Sequence, residues 1–211
     1  DGFWGFAMEL VGGPPLDVWV ADAPPEARAA RITDALLQLT EAVEFLHRSR
    51  VLHLDLKPAN VLVRLDGRIA VLDFGLAQPV RDGESVRSGV CGTPGYIPPE
   101  GWLSGERSEA ADWFAVGSIL YGLLAGFRAF PGDSVEAIRH ATLHSRPAAP
   151  AVPGADHLVH LAMALLDPDP LTRAGAGEIR AALGVQAVRP DAEDAFVGRT
   201  GELAVLRAAW A

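Results

Sequence analysis

Between His53 and Asn60 the chain reads His-Leu-Asp-Leu-Lys-Pro-Ala-Asn, and three of these eight residues carry groups that could act together. Asp55 offers a carboxylate that can take up a proton, Lys57 a compact cation suited to an anion, and Asn60 a hard oxygen donor for a cation. Lys57 is the only lysine among the 18 Lys and Arg residues, and Asn60 is the only asparagine in 211 residues. A composition that avoids both types elsewhere, yet sets them three apart beside Asp55, points to a local chemical requirement. Next come Val61-Leu62-Val63 and Ile69-Ala70-Val71-Leu72 on either side of Asp66-Gly67. Two β-branched runs around an Asp-Gly pair predict a β-hairpin. It ends in Asp73-Phe74-Gly75, and its paired legs would bring Asp73 across from Asn60.

The order of these elements, followed by Gly92-Thr93-Pro94-Gly95-Tyr96-Ile97-Pro98-Pro99-Glu100, resembles the C-terminal lobe of a serine/threonine protein kinase of bacterial type. The resemblance runs from about residue 3 to residue 184 and implies a mainly α fold with a small β-hairpin, a kinase-like C-lobe (α+β) that is an incomplete domain. It also implies transfer of the γ-phosphate of ATP, with Mg²⁺, to Ser or Thr hydroxyls of a protein substrate. On that resemblance Asp55 orients or deprotonates the attacking hydroxyl, Lys57 sits near the γ-phosphate, Thr93 hydrogen-bonds Asp55 and Lys57, and Asn60 and Asp73 hold Mg²⁺. Residues 3 to 11 resemble the last small-lobe strand and the hinge, with Met8 as gatekeeper and Glu9 to Val11 as hinge. Leu62 joins Met8, Glu9, Val11 and Asp73 around the nucleotide. Glu100 and Arg173 match the family's buried ion pair, and His53, Phe74 and Asp112 its internal supports.

Two departures carry expectations. Leu54 stands where many kinases have the Arg that receives an activation-loop phosphate, and leucine cannot pair with phosphate. Replacing Ser85 and Ser88 together by Ala is therefore expected to leave activity largely intact; a large loss would refute this. Pro98-Pro99-Glu100 stands for Ala-Pro-Glu, with Glu100 kept. The Gly-rich loop, the strand lysine and its helix glutamate would belong upstream of Phe3, and the first residue is Asp1 rather than Met. The expectation is that the chain was cut from a longer protein and transfers phosphate negligibly alone. The rival reading is a pseudokinase or interaction module that regulates a fused signalling domain.

The elements that must position these groups are mostly helical. Pro24-Pro25-Glu26 opens a helix in which Ile32, Leu36, Leu39, Val43 and Leu46 recur at spacings of four and three. It delivers the chain to the His53 loop. Residues 76 to 91 are polar, aperiodic and Gly-containing, as a mobile loop would be. Ser108 is an N-cap candidate for the uncharged run Trp113 to Phe127, a helix buried on all sides and short of the ~20 residues of a membrane span. Asp133-x-x-Glu136 predicts a capping box for a helix to about His144. Helices over 158–166 and 177–183 follow, the second closed by Gly184.

Formal net charge is −9 with no basic run, which argues against nucleic acid or an anionic membrane as partner. The single cysteine, Cys91, excludes an internal disulfide framework and fits a reducing, cytoplasmic compartment; an inert buried thiol is the expected role. Glu136, His140 and His144 share a helix face at metal-compatible spacing, and so do His157 and His160 more loosely; a solvated face is the expectation for both. The organisation expected is 1–184 for hinge and C-lobe, 185–195 for an acidic linker, and 196–211 for a further segment. There Phe196-Val197-Gly198-Arg199-x-x-Glu202-Leu203 resembles the opening of bacterial AAA-like signalling ATPases, without a phosphate-binding loop.

Overall fold

A computed structural model describes residues 11–79, 86–87 and 89–185. After Gly12-Gly13-Pro14-Pro15 the chain forms a short helix, α1 (Leu16–Ala21), whose Leu16 and Val20 are buried four residues apart. Six residues hold too little of a helical period to be read from sequence. The predicted long helix is α2 (Pro25–Arg48), with proline in its first turn and Ile32, Leu36, Leu39, Val43 and Leu46 buried. It leads into β1 (Val51–Leu52), the chemical loop, a 3₁₀ turn at Pro58–Asn60, and the hairpin of β2 (Val61–Val63) and β3 (Ile69–Val71). Val61 pairs with Val71 and Val63 with Ile69, the antiparallel register expected. Gln38 of α2 steadies the turn: its Oε1 accepts from Ile69 N at 2.9 Å and its Nε2 donates to Gly67 O at 3.2 Å. On the outer leg, Val63 N donates to Pro14 O at 2.9 Å, so the segment after Val11 lies beside the hairpin.

Within 76–91 the described residues include short ladders that an aperiodic loop would not have. β4 (Gln78–Pro79) pairs with β1, and β5 (Val86–Arg87) pairs with β6 (Glu106–Arg107), which follows α3 (Pro99–Ser104). Two-residue ladders are fixed by partners far away in sequence, so local composition does not announce them. The apolar run forms α4 (Glu109–Ala125), capped by Ser108 without a side-chain bond and ended by Gly126 at φ 79°. Ala111 through Tyr121 are buried without a break, as a helix apolar all round requires, although Phe127 beyond its end is exposed. α5 (Val135–His144) starts one residue later than the predicted box: the cap is Ser134, whose hydroxyl accepts from Ala137 N, rather than Asp133. α6 (Asp156–Leu165) and α7 (Ala176–Ala182) begin one or two residues earlier than read from sequence.

These helices enclose one principal core, in which Leu39, Val43, Phe114, Ile119, Leu158, Leu165 and Ile179 are among the most buried. Helix α4 is its axis and packs most tightly on α6. At Gly117 a Cβ would stand 2.6 Å from Leu165 Cβ and 3.0 Å from Leu165 C, contacts no rotamer change relieves. Overpacking of this kind costs about 1–3 kcal/mol, while Ala in place of Gly returns at most about 1 kcal/mol of helix propensity. A Gly117→Ala chain should therefore melt up to roughly 8 °C lower in a calorimetric scan; a higher melting temperature would refute the close approach.

Candidate active site

The site is built on the carboxylate of Asp112, fully buried in the first turn of α4. Its Oδ2 accepts from His53 N at 2.9 Å and its Oδ1 from Leu54 N at 2.8 Å. Those two bonds pin a loop that local preference would not choose, because Leu54 has φ 66°, a left-handed value that a branched residue seldom adopts. His47, in the last turn of α2, meets the same carboxylate through Nε2 at 2.9 Å, with its edge against Trp113. A helix end, a buried acid and the loop are thus one hydrogen-bonded unit. Sequence reasoning missed His47. A histidine in a last helical turn has the general reading of dipole compensation, and nothing local points to a partner 65 positions away.

The loop delivers Asp55 into a closed network. Thr93 Oγ donates to Asp55 Oδ1 at 2.6 Å, Lys57 Nζ donates to Asp55 Oδ2 at 2.6 Å, and Lys57 Nζ also donates to Thr93 Oγ at 2.9 Å. A hydroxyl has one proton and two lone pairs, so Thr93 serves both neighbours without conflict. Asn60 Nδ2 donates to Asp55 O at 2.9 Å and to Oδ2 at 3.2 Å. Its amide nitrogen being engaged, the carboxamide oxygen is the end available to a cation. Thr93 reaches Asp55 because Gly92, at φ 105°, lets the two segments touch; a Cβ there would stand 2.8 Å from Leu54 O. Burial pushes the Asp55 carboxyl up, but hydrogen bonds from Lys57, Thr93 and Asn60, with the charge of Lys57, outweigh it and hold the group below its usual carboxylate value.

Asp73 lies at the far end of the hairpin. Leu72 N donates to Asn60 O at 2.8 Å, so the residue after Leu72 sits beside the residue that precedes β2. Asp73 is exposed, has φ 63°, and accepts from Gly75 N at 3.3 Å. The other hairpin-side support is His53, which contacts Leu72 O through Nε2 at 3.1 Å and packs on Phe74 with ring centres 5.1 Å apart. An amide oxygen and an exposed carboxylate on facing strand ends are donors of the kind Mg²⁺ takes, with waters and phosphate oxygens completing the shell. Met8 and Glu9 lie outside the described residues; Val11 is buried, and Leu62 is half-buried on β2 at the bridge to Pro15.

Below the network the segment is anchored by Glu100 and Arg173, both buried, in a two-pronged contact at 2.6 and 2.9 Å. The guanidinium also donates to Ala110 O and Asp167 O and lies 5.1 Å from the Phe114 ring centre. Cys91 is half-buried rather than buried as expected, and desolvation, offset in part by the Arg107 charge, pushes its thiol up. No cluster of metal-ligating side chains occurs among the described residues, Glu136, His140 and His144 included; the two histidine rings lean on each other with centres 4.7 Å apart.

A helical lobe whose buried acid organises a loop, with a hairpin bearing a second acid, is the large lobe of a kinase fold. The chain belongs to the protein kinase domain family, whose model matches residues 3–182. It is 34% identical over 172 residues to protein kinase C-like 1 of Saccharomyces cerevisiae, covering 82% of this chain and 15% of that protein. It is 40% identical over 136 residues to serine/threonine-protein kinase PEPKR2 of Arabidopsis thaliana, covering 64% and 28%. With CBL-interacting protein kinase 24 of Oryza sativa subsp. japonica it shares 36% over 146 residues, covering 68% and 32%. The chain thus spans about a third or less of the length of each of these relatives.

Proposed function

We propose that the protein carrying this chain is an ATP- and Mg²⁺-dependent serine/threonine protein kinase, of bacterial type, and that Asp55, Lys57, Asn60, Thr93 and Asp73 form its phosphotransfer site. The observation that carries the reading is the bonding of Asp55: an ionised carboxylate fixed by Lys57, Thr93 and Asn60, with the exposed carboxylate of Asp73 at the neighbouring hairpin end. Asp55 orients the acceptor hydroxyl and takes its proton as the hydroxyl oxygen bonds to the γ-phosphorus and the bond from that phosphorus to the β–γ bridging oxygen breaks, releasing ADP. Lys57 stays within reach of both Asp55 and the transferred phosphate and offsets the charge that collects there. Asn60 and Asp73 hold Mg²⁺, which when bound neutralises the phosphate oxygens of ATP. Val11 and Leu62, with Met8 and Glu9, take the adenine side, where apolar walls and hinge amides suit a flat base.

The organisation that goes with this reading is hinge and C-lobe over 1–184, a linker over 185–195, and a fused ATPase-like module opening at Phe196, supported by the Phe-Val-Gly-Arg segment. A small lobe upstream would supply the remaining ATP contacts, so the 211-residue chain alone transfers little phosphate. No helix among the described residues is long and apolar enough to cross a membrane; a reducing, cytoplasmic setting is proposed on the single cysteine. The test is transfer from labelled ATP to a generic protein acceptor by the protein with its small lobe, followed by identification of the phosphorylated amino acid. Phosphoserine or phosphothreonine is expected; phosphotyrosine would overturn the Ser/Thr acceptor class, and no transfer together with no ATP binding would move the reading to a pseudokinase scaffold.

Thr93 separates support from chemistry. Thr93→Ala removes a bond to Asp55 and one to Lys57 but neither charge, so transfer should fall about 10-fold, the scale of one hydrogen bond to charged groups. Thr93→Ser should restore most of it. Equal loss in both variants would show that the methyl group, rather than the hydroxyl, matters.

A further inference from the structure

Far along the chain from the site lies a groove of about 640 Å³ between the end of α4, the 127–131 turn, α5 and the proline-rich segment 145–152. Tyr121 and Phe130 are buried in its floor, and Phe127, exposed, stands edge-on to Tyr121 at 6.0 Å. Tyr121 also donates to Ala148 O at 2.9 Å, which fixes the proline-rich wall against the helix. Its charged lining is one-sided: Arg128 and Arg146 and no carboxylate, in a chain whose net charge is −9. Both arginines are exposed and neither has an ion-pair partner among the described residues. An apolar floor with two unneutralised guanidinium groups at its rim fits an acidic segment that ends in an aromatic residue.

The chain holds one such segment, Asp191-Ala192-Glu193-Asp194-Ala195-Phe196-Val197, three acids followed by Phe-Val. It lies outside the described residues. The last described residue, Val185, is joined to the core by α7, and the eleven residues from there to Phe196 span up to about 36–40 Å. We propose that this groove is the docking site of the chain's own 191–197 segment, with Phe196 against the exposed ring of Phe127 and the acids against Arg128 and Arg146. Docking would hold whatever follows residue 197 against the lobe surface formed by α4 and α5, and it makes the linker part of the kinase lobe instead of a free tether.

The test is disulfide trapping in the whole chain with Cys91→Ser, the only native thiol. Ala149→Cys with Ala195→Cys pairs groove and segment; Ala30→Cys with Ala195→Cys, on the exposed start of α2, is the control. The expected result is a bond within one chain that forms at least ten times faster than the control. Arg128→Glu with Arg146→Glu should slow it fivefold or more, and adding Asp191→Arg with Asp194→Arg should restore it. Trapping no faster than the control would overturn the proposal. So would trapping only between two chains, which would assign the groove to a second copy, or a rate unmoved by reversal of both arginines. None of these readouts depends on phosphate transfer.

Discussion

Asp55→Asn in the protein with its small lobe is expected to lower phosphate transfer by about 10²–10⁴-fold, the range typical for a positioned acid–base group. Asparagine keeps the shape and one acceptor oxygen, so Thr93 retains its bond while Lys57 loses its carboxylate. Lys57 is partly exposed and can be rehydrated, so the stability cost is small beside the loss of rate. The depressed pKa of Asp55 also sets the pH profile. Its folded value lies below its unfolded value, so the stability it contributes is present above the unfolded pKa of about 4 and disappears as pH falls through the folded one. Between about pH 5 and 8 the group is ionised throughout, and activity should show no acid limb from it. A carboxylate this weak in basicity contributes most by orienting the hydroxyl and accepting the proton late. Rates of the native protein and the Asp55→Asn variant, followed from acid to alkaline pH, check both points. Activity within about tenfold of native in Asp55→Asn, or an acid limb that vanishes with the substitution, would refute them.

Arg173→Met should unfold the lobe most readily of any single change outside the core. The substitution removes a guanidinium that meets Glu100 at two points and three carbonyls besides, and leaves Glu100 buried with its charge unanswered. Breaking a buried pair from one side typically costs about 3–5 kcal/mol, a large part of the roughly 5–15 kcal/mol that holds a domain together. For a chain of this size that corresponds to a melting temperature roughly 6–20 °C lower. Glu100→Gln with Arg173→Met removes the stranded charge and should recover part of the loss. A double variant no more stable than Arg173→Met alone would mean that the carbonyl contacts, and not the ion pair, carry the effect. Because Glu100 lies in the first turn of α3, soon after the Thr93 segment, reduced transfer at temperatures well below the melting point is expected as well.

The hairpin, the long helix α2 and the buried helix α4 were legible because each is announced by residues next to one another: Asp66-Gly67 between branched runs, a four-and-three stripe, an uncharged run after Ser108. The same holds for the candidate site. Asp55, Lys57, Asn60 and Asp73 all fall on or beside one hairpin, so pairing of its legs brings them together. Thr93 and the Glu100–Arg173 pair were read from a pattern of motifs, and their contacts at 2.6 to 2.9 Å agree with it. What stayed hidden was long-range. His47, Gln38 and the groove rim of Arg128 and Arg146 depend on neighbours supplied by other elements, and the β1–β4 and β5–β6 ladders join residues that look like loop.

By itself the sequence determined the kinds of groups present, their order, and the local frame that presents them, because periodicity, turn chemistry and rare residue types act over a few positions. Only the tertiary structure decided which charges are answered and which are not. Asp112 becomes the anchor of the loop because α4 is buried under it, Leu54 is held in a left-handed conformation because two hydrogen bonds from that anchor outweigh its preference, and Asp55 stays ionised because three partners offset its burial.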